Sequence, residues 1–372
     1  MIKIPFVGIS KQYCNLEKEI IQQIKKIGNT GNFILGNNLN KFENLFSKYC
    51  NTKFALGLNS GSDALFLGLK ALGIKNGDEI ITTSHSFIAT SWVIEAVGAK
   101  IVFCDVLKDG NIDPKLIETK ITKKTKAIMP VHWAGKPFEV DQIKKICKRN
   151  KIFLIEDAAQ AIGALYKKKK VGSFGIFAGF SLHPLKNLGV LGDGGMFVTN
   201  DKKLYQTVKL LRNHGLKNRD ECSLWGYNSR LDEIQSAVGI IKLSKIDIWN
   251  DRCLEIANLY TEKLHKYVVT PNYEPYIRPV FHNYIIATTK RDSLKKFLEK
   301  RGIEVKVHYP IPVHKQKAFK DSYKKVTDLK QTDKIVKMTL SLPIYPELKN
   351  KQIHYIINSI KEYFDEKIKK SK

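Results

Sequence analysis

The sequence predicts an α/β fold, with a three-layer α/β/α large domain around a mainly parallel sheet and a smaller C-terminal α+β domain. Three observations support this prediction. Apolar runs of strand length alternate with helical stretches between residues 54 and 211, as expected when parallel strands are joined by crossover helices. From about residue 271 the elements become shorter. A length of 372 residues also accommodates two domains.

Two amphipathic helices are predicted before the first strand, over residues 16–27 and 39–50. In the second helix, apolar side chains recur at helical spacing, so we expect them to pack in the core. They are Phe42, Leu45, Phe46 and Tyr49.

The alternation of strands and helices then begins. The predicted strands lie over residues 54–58, 79–83, 100–105, 126–131, 151–157, 176–180 and 196–199. A long helical pattern runs from the segment 225–235 through residue 264. We place the domain boundary within that pattern, so that residues 1–245 form the large domain and residues 246–372 the small one. The expected elements of the small domain lie over residues 284–288, 294–301, 304–308, 335–342 and 351–366.

The turn between the predicted strands at residues 176–180 and 196–199 carries Lys186, with Pro184 before it and Gly189 after it. A lysine amine is a useful nucleophile only when it is partly deprotonated, which requires burial or a neighbouring cation. A glycine-bordered turn between two apolar strands can hold the amine in such a place. Lys186 is therefore the candidate catalytic residue.

A second candidate group ends the strand at residues 151–157. This apolar run closes on Glu156 and Asp157, followed by small residues, and in α/β proteins such strand ends open onto the ligand crevice. An aspartate there can accept a hydrogen bond from a protonated ring nitrogen, which pyridoxal 5'-phosphate (PLP) needs to act as an electron sink. Asp157 and Lys186 together predict a PLP site with a lysine Schiff base.

Two further segments have both a structural and a functional interpretation. The helix start at Ser60, Gly61 and Ser62 suits a phosphate, because free backbone N–H groups and the helix dipole meet there; a plain N-cap is the alternative. Phe87 lies at the mouth of a strand–helix connection, where an aromatic ring either covers a cofactor or only packs.

The segment before the long helical pattern contains Asn228 and Arg230. Both could simply cap the helix, yet arginine is the natural clamp for a phosphate or carboxylate. Arg230 is equally able to pair with Asp232 or Glu233. Of the histidines, His183 and His308 are the candidates for contacting a substrate.

Composition excludes several classes of protein. The six cysteines stand singly, without CxxC pairs, so we expect reduced thiols and no metal site. The net charge of +27 is spread along the chain without a recognisable nucleic-acid-binding motif, and we expect no nucleic-acid partner. No signal-peptide core or membrane-spanning apolar run is visible, so we expect no membrane insertion and a cytoplasmic location.

Taken together, these segments resemble the PLP-dependent sugar aminotransferases of the DegT/StrS type, within the fold-type-I, aspartate-aminotransferase-like superfamily. The resemblance covers nearly the whole chain. It rests on residues 31–36, Ser60 to Leu65, Glu156 to Gln160, Ser181 to Gly195, Gly226 to Gln235, His308 to Pro310 and Ser341 to Pro343.

The resemblance implies a role for each matching residue. Lys186 would form the Schiff base, Asp157 would pair with the pyridinium nitrogen, and Gln160 would lie near the ring hydroxyl. Other matching positions would bind the cofactor phosphate or stack on its ring; these are Gly61, Ser62, Ser181 and Phe87. Asn228 would reach the phosphate of a neighbouring subunit, which implies a homodimer with shared active sites.

The implied reaction moves an amino group from an amino acid, L-glutamate by expectation, to a nucleotide-linked keto-sugar for surface-glycan or related amino-sugar biosynthesis. The segment from Gly226 to Gln235 is similar to that of enzymes aminating the 3-position of a 6-deoxy keto-hexose. Amination at the 4-position stays open as an alternative. So do another PLP reaction, such as sugar dehydration, and a non-catalytic regulatory role; the presence of Lys186 argues against dehydration.

Overall fold

A computed structural model describes residues 3–323 and 328–371 of the chain, except for the side chains of residues 367–371. The strands are β1 (Phe54–Leu58), β2 (Glu79–Thr83), β3 (Lys100–Cys104), β4 (Thr125–Ile128), β5 (Phe153–Asp157), β6 (Leu165–Tyr166), β7 (Lys169–Lys170), β8 (Phe177–Ser181), β9 (Gly195–Thr199), β10 (Ile277–Arg278), β11 (Tyr284–Ala287) and β12 (Thr339–Leu342). The helices are α1 (Ile9–Thr30), α2 (Asn37–Cys50), α3 (Gly61–Ala71), α4 (Ile88–Ala96), α5 (Pro114–Ile117), α6 (Val140–Asn150), α7 (Lys202–Leu211), α8 (Glu233–Leu243), α9 (Ile246–Leu264), α10 (Arg291–Lys300), α11 (Lys317–Ser322), α12 (Lys330–Met338) and α13 (Asn350–Ser371).

A seven-stranded sheet forms the centre of the fold, in the order β1-β9-β8-β5-β4-β2-β3. From β8 to β3 every neighbouring pair is parallel, whereas β9 runs antiparallel to both β1 and β8. The predicted mainly parallel sheet is therefore confirmed. Because β5 lies inside this sheet, its carboxyl end faces the crevice expected for α/β proteins.

Both faces of this sheet are covered, which confirms the three-layer architecture. Consecutive residues of one strand enter different cores: Ile81 and Leu154 join one, while Ile80 and Ile155 join the other. Side chains alternate across a strand, so the two cores lie on opposite faces. Helices α1, α2, α6 and α8 supply the first core, and α3, α4 and α7 supply the second.

A third core is built mainly from α9, α10, α13 and the β11–β12 pair. Ile4 belongs to it as well: its N–H donates to the Gly302 carbonyl (2.8 Å), and its own carbonyl accepts from Glu304 N–H (2.9 Å). We propose that residues 246–372 form the small domain around this core. Its connections also reach the large domain, since β10 pairs with β6.

The predicted long helix through residues 233–264 is wrong in one respect, because it is broken between α8 and α9. The Ser244 hydroxyl donates to the Ile241 carbonyl (2.7 Å), and Lys245 N–H donates to the carbonyl of Lys242, three residues earlier (3.0 Å). Such serine bonds compete with the helical pattern.

Of the apolar side chains expected to pack in the core from helix α2, Phe42 and Phe46 are fully buried, but Leu45 is exposed.

The C-terminal elements also differ in detail. Residues 304–308 contain no extended strand, only a bridge between Lys306 and Ser341. The segment predicted over 335–342 divides into the end of α12 and the strand β12. None of the helices in the described residues is long and apolar enough to cross a membrane.

Candidate active site

A cavity of about 550 Å³ lies where the sheet's carboxyl edge meets the N-terminal segment and the C-terminal third of the chain. It brings together most of the side chains singled out in the sequence. They are Gly61, Ser62, Phe87, Asp157, Gln160, Ser181, His183, Lys186 and His308. Asn228 and Arg230 lie outside its lining.

Lys186 lies in the connection between β8 and β9, on the turn expected from the sequence. Its N–H donates to the His183 carbonyl (2.8 Å), and Leu182 N–H donates to the Gly194 carbonyl (2.8 Å) where the connection closes. Burial lowers the pKa of the Lys186 amine to about 8, although the negative charge of Asp157 opposes this shift. The amine is therefore much closer to its nucleophilic form than an exposed lysine.

Three side chains from α8 and α9 hold this connection in place, and the sequence did not point to them. Gln235 accepts from Leu191 N–H (2.8 Å) and donates to the Leu191 carbonyl (3.2 Å). The Lys242 ammonium donates to the Gly189 carbonyl (2.6 Å). Asn187, next to the catalytic candidate, donates to Asn250 (3.0 Å). Lys242 lies in no motif that would distinguish it among the 63 Lys and Arg residues of the chain.

Asp157 ends β5 and turns its carboxyl group toward the cavity. One oxygen accepts from the Thr90 hydroxyl (2.6 Å) and the other from Ala159 N–H (3.2 Å). Burial raises the pKa of Asp157, while these hydrogen bonds and the charge of Lys186 act against that rise. A cation placed beside this carboxylate would therefore find a buried, oriented partner.

The neighbouring Glu156 points to the other face of the sheet, as the alternation of a strand requires. Its carboxylate accepts from the backbone N–H groups of Gly172 (2.8 Å), Phe174 (2.7 Å) and Gly175 (2.8 Å). This set of bonds fixes the connection between β7 and β8. Of the two acids at the strand end, Glu156 is structural, and Asp157 is the one available to a ligand.

The start of α3 approaches the end of β8 unusually closely. A Cβ atom on Gly61 would lie 2.8 Å from the Ser181 Cβ and 2.9 Å from its Cα, so only glycine fits. Ser60 caps the helix by accepting from Asp63 N–H (3.0 Å). The first-turn N–H groups, including that of Ser62, have no partner within the helix and face a cavity suited to a phosphate.

Two more lining side chains flank the space between Lys186 and the helix start. The Gln160 side-chain oxygen accepts from Ala134 N–H (2.8 Å), which leaves its amide nitrogen as the donor for a ligand. Phe87 is 53% exposed, with its ring 5.9 Å from that of Tyr309. Phe87 therefore lines the cavity and is not packed in the core.

Three histidines line the cavity together with Lys186, and the sequence did not single out one of them. His308 Nδ1 bonds the Ser341 hydroxyl (2.8 Å), and burial lowers its pKa to about 4. His183 is exposed and accepts from Leu185 N–H at Nδ1 (3.2 Å). The third is His282, whose Nε2 lies 3.4 Å from Lys186 Nζ. It comes from a part of the chain about 100 residues further on, so no local motif could reveal the contact.

The segment with Asn228 and Arg230 lies on the surface beside the end of α7. Asn228 is exposed. Arg230 donates to the Asn213 side chain (3.1 Å) and makes no ion pair with Asp232 or Glu233 among the described contacts. Glu233 instead accepts from Leu39 N–H (2.8 Å) at the start of α2. Neither Asn228 nor Arg230 lines the cavity of its own chain.

Comparisons with known proteins agree with this geometry. The model of the DegT/DnrJ/EryC1/StrS aminotransferase family matches residues 14–361. The chain belongs to this family. A pleiotropic regulatory protein of Geobacillus stearothermophilus is 41% identical over 98% of this chain and 99% of its own length. The dTDP-3-amino-3,4,6-trideoxy-alpha-D-glucose transaminase of Streptomyces venezuelae is 38% identical, with 97% of this chain and 96% of the relative covered.

The solved structures agree as well. The crystal structure of S. venezuelae DesV in complex with a ketimine intermediate is 38% identical, with a TM-score of 0.95, and the match covers 98% of this chain and 99% of that one. The family and its fold, both expected from the sequence, are thereby confirmed. The protein is therefore a PLP-dependent transaminase.

The cavity has the chemistry that PLP requires. It offers an amine with a lowered pKa, a buried carboxylate for a ring nitrogen, and a helix start that Gly61 keeps free of any side chain. These three features lie in one cavity, and their donor types match the aldehyde, ring nitrogen and phosphate of the cofactor. Within the described ranges, no three His, Cys, Asp or Glu side chains cluster as metal ligands.

Proposed function

We propose that the chain transfers an amino group from L-glutamate to a nucleotide-linked keto-sugar, at the 3-keto position of a 6-deoxyhexose. The observation that carries this proposal is the meeting of the Lys186 amine and the Asp157 carboxyl in one cavity beside the start of α3. The product would serve surface-glycan or related amino-sugar biosynthesis in the cytoplasm.

In this proposal Lys186 holds the cofactor covalently and, once released, carries a proton between carbon and nitrogen. Asp157 bonds the ring nitrogen and keeps it protonated, and Gln160 donates to the ring hydroxyl. Phe87 covers one face of the ring. When bound, PLP supplies the electron sink that makes the amino acid's Cα–H bond acidic.

The phosphate end of the cofactor would be held by the Gly61–Ser62 helix start together with the Ser181 hydroxyl. This hydroxyl lies close to that helix start, because the Gly61 backbone packs directly against Ser181. A dianionic phosphate gains both from the free N–H groups and from the positive end of the helix dipole.

The keto-sugar assignment is supported by the S. venezuelae relative, whose name describes a 3-amino product on a dTDP-sugar. A net charge of +27 would attract an anionic nucleotide diphosphate. His183 and His308 line the cavity and would contact the sugar. Amination at the 4-position of the sugar is the alternative within the same chemistry.

A homodimer with shared sites accounts for the two predicted residues that lie outside the cavity. Asn228 and Arg230 would act in the partner's site, Asn228 at the cofactor phosphate and Arg230 at the substrate. The surface beside them is apolar: Trp225 is 94% exposed, and Tyr227 and Trp92 both pack against Phe66. Exposed aromatic surface of this kind is typical of protein interfaces.

An absorption spectrum of the purified, PLP-loaded protein tests the proposal. We expect a near-visible band from the lysine-linked cofactor, which L-glutamate converts to the spectrum of the amine form. Borohydride reduction followed by peptide mapping should place the cofactor on Lys186. The Lys186→Ala variant should lack the lysine-linked band, whereas an exposed control, Lys330→Ala, should keep it. Cofactor on another lysine would refute the assignment.

The Geobacillus relative named as a regulatory protein supports a second candidate, a regulatory role without catalysis. The same spectra separate the two functions. A regulatory protein would show no conversion by any amino donor. Conversion by L-glutamate, followed by screening of dTDP- and UDP-linked 3-keto and 4-keto sugars, would support the transferase.

A further inference from the structure

The amine of Lys186 has a direct side-chain partner that neither the sequence motifs nor the proposed cofactor contacts include. His282 Nε2 lies 3.4 Å from Lys186 Nζ, within hydrogen-bonding distance. The two residues are 96 positions apart. They come from different parts of the fold, since Lys186 follows β8, while His282 precedes β11.

Several contacts fix His282 against the lysine. Val280 N–H donates to the Gly135 carbonyl (3.0 Å). The backbones also pass close together, since a Cβ on Gly135 would lie 2.9 Å from the His282 backbone nitrogen. Asn187, the neighbour of Lys186, donates to the Val280 carbonyl (3.0 Å). The backbone on both sides of the amine–imidazole contact is therefore tied together, so the contact is part of the fold and not a chance of two flexible side chains.

Phe281, the residue before His282, has an unusual backbone conformation and a packed side chain. Its backbone has a φ of 47°, in the left-handed region that few non-glycine residues adopt. Its ring is buried against Tyr273 and Tyr284, which compensates for this conformation. Phe281 and His282 both line the cavity that contains Lys186.

The charges around the pair determine which group donates. Burial and the positive charge of Lys186 lower the pKa of His282 well below its ordinary value, so the imidazole is neutral. Asp157 is the nearby carboxyl group, and His308 and His183 are the other titratable groups near the imidazole. A neutral imidazole nitrogen can accept a hydrogen bond from an ammonium group.

We infer that His282 is a positioning residue for Lys186: its Nε2 accepts a hydrogen bond from the free amine and holds it in place while the amine is not linked to the cofactor. This inference deepens the proposed function and rests on the role given there to Lys186. An amine released during the reaction would otherwise be free to rotate within the cavity. Held by His282, it stays in place for proton transfer and for the return to the cofactor.

The test is the pKa of Lys186 itself, measured in full-length protein from which PLP has been removed. Trace labelling with acetic anhydride at a series of pH values, followed by quantification of the peptide containing Lys186, gives this value. An acceptor stabilises the charged amine, so His282→Phe should lower the pKa of Lys186 by about 1. His282→Gln, which keeps an acceptor oxygen, should stay near the wild-type value.

His308→Gln is the matched control, because His308 is near the same amine but bonds Ser341; it should shift the pKa less than His282→Phe. The buried Lys242 reports in the same experiment whether each variant is folded. Should His282→Phe not fold, His282→Met removes the acceptor with a smaller change of shape. An unchanged or raised pKa of Lys186 in a folded variant without the acceptor overturns the inference. Borohydride mapping tests the cofactor's attachment separately.

Discussion

At the scale of single residues, the surroundings of Asp157 exert two opposing effects on the pKa of its carboxyl group. Burial favours its neutral form, and the Thr90 hydroxyl and Ala159 N–H favour its charged form. Two hydrogen bonds also fix the direction of both oxygens. The group is therefore oriented before any ligand arrives, which is how a protein concentrates electrostatic stabilisation on one atom.

Replacing Asp157 by Asn removes the charge and keeps one of the two acceptor atoms. The amide oxygen can still accept from Thr90, so the fold should survive, but a protonated ring nitrogen would lose its anionic partner. We expect the conversion of the PLP-loaded protein by L-glutamate to slow by about 100-fold or more, followed by rapid-mixing absorbance. Asp292→Asn, at a carboxylate that is 80% exposed, is the control; equal rates in the two variants would contradict the role of Asp157.

The pKa of Lys186 predicts how cofactor loading depends on pH. Only the neutral amine attacks an aldehyde, and burial lowers the pKa of this amine to about 8. The rate constant for PLP binding to the cofactor-free protein should therefore rise as the pH increases through 8 and level off above it. Rapid-mixing absorbance between pH 6 and about 10 measures the curve. A midpoint near the ordinary lysine value would show that the amine is not buried in solution.

At the scale of elements, the approach of α3 to β8 decides the shape of the phosphate end. Gly61 allows the helix start to touch the Ser181 backbone. A methyl group there must push the two elements apart, because the atoms it would meet include backbone atoms rather than only the end of a flexible side chain.

Gly61→Ala should therefore weaken both stability and cofactor binding. Overpacking of this kind costs about 1–3 kcal/mol, and the displaced N–H groups should raise the dissociation constant for PLP. Gly28→Ala is the matched control: Gly28 lies in α1 with nothing within 4 Å of the added methyl, and alanine there should stabilise by about 0.5–1 kcal/mol. Urea denaturation and PLP titration measure the two effects. A Gly61→Ala protein that behaves like Gly28→Ala would refute the steric argument.

How far the sequence predicts the fold can be judged element by element. Strands β1 and β2 have the predicted bounds, because each is an apolar run bordered by polar residues. The break between α8 and α9 was missed, since a serine side-chain bond is too local to disturb the apolar period. A short element is predicted over residues 304–308, where the structure has only a single bridge, between Lys306 and Ser341.

The candidate site shows the same division. The positions of residues in contiguous motifs, such as Asp157 and Lys186, are predictable because a strand end or a glycine-bordered turn restricts where they can lie. Lys242 and His282 were missed, because their positions depend on how α8 and the segment before β11 pack against the Lys186 turn. Such contacts join residues far apart in sequence, and no local pattern records them.

At the scale of the whole molecule, the site is assembled from three separate parts of the chain. The sheet supplies Asp157, the connection after β8 supplies Lys186, and the C-terminal third supplies His282 and His308. Under the proposed homodimer, Asn228 of a second chain completes it. Because two chains would contribute residues to each site, the proposal can be tested without knowing the sugar substrate.

Two inactive variants should restore each other when they are mixed. A Lys186→Ala chain lacks its own nucleophile but still lends Asn228 to its partner, whereas an Asn228→Ala chain has the opposite defect. Random reassortment gives half mixed dimers with one intact site each, and hence about a quarter of wild-type activity. Conversion by L-glutamate before and after subunit exchange measures the recovery. Asn228→Ala chains that are fully active alone would argue against shared sites.

The pairing of Ile4 with residues 302 and 304 has a consequence for how the protein is made. Ile4 is fully buried in the finished molecule, yet its partners leave the ribosome some 300 residues later. At about 5–20 residues per second, the beginning of the chain waits roughly 15–60 s for its binding place. Until then Ile4 lacks the partners that bury it and is accessible to chaperones and proteases; its protection depends on residues 302 and 304 having been made.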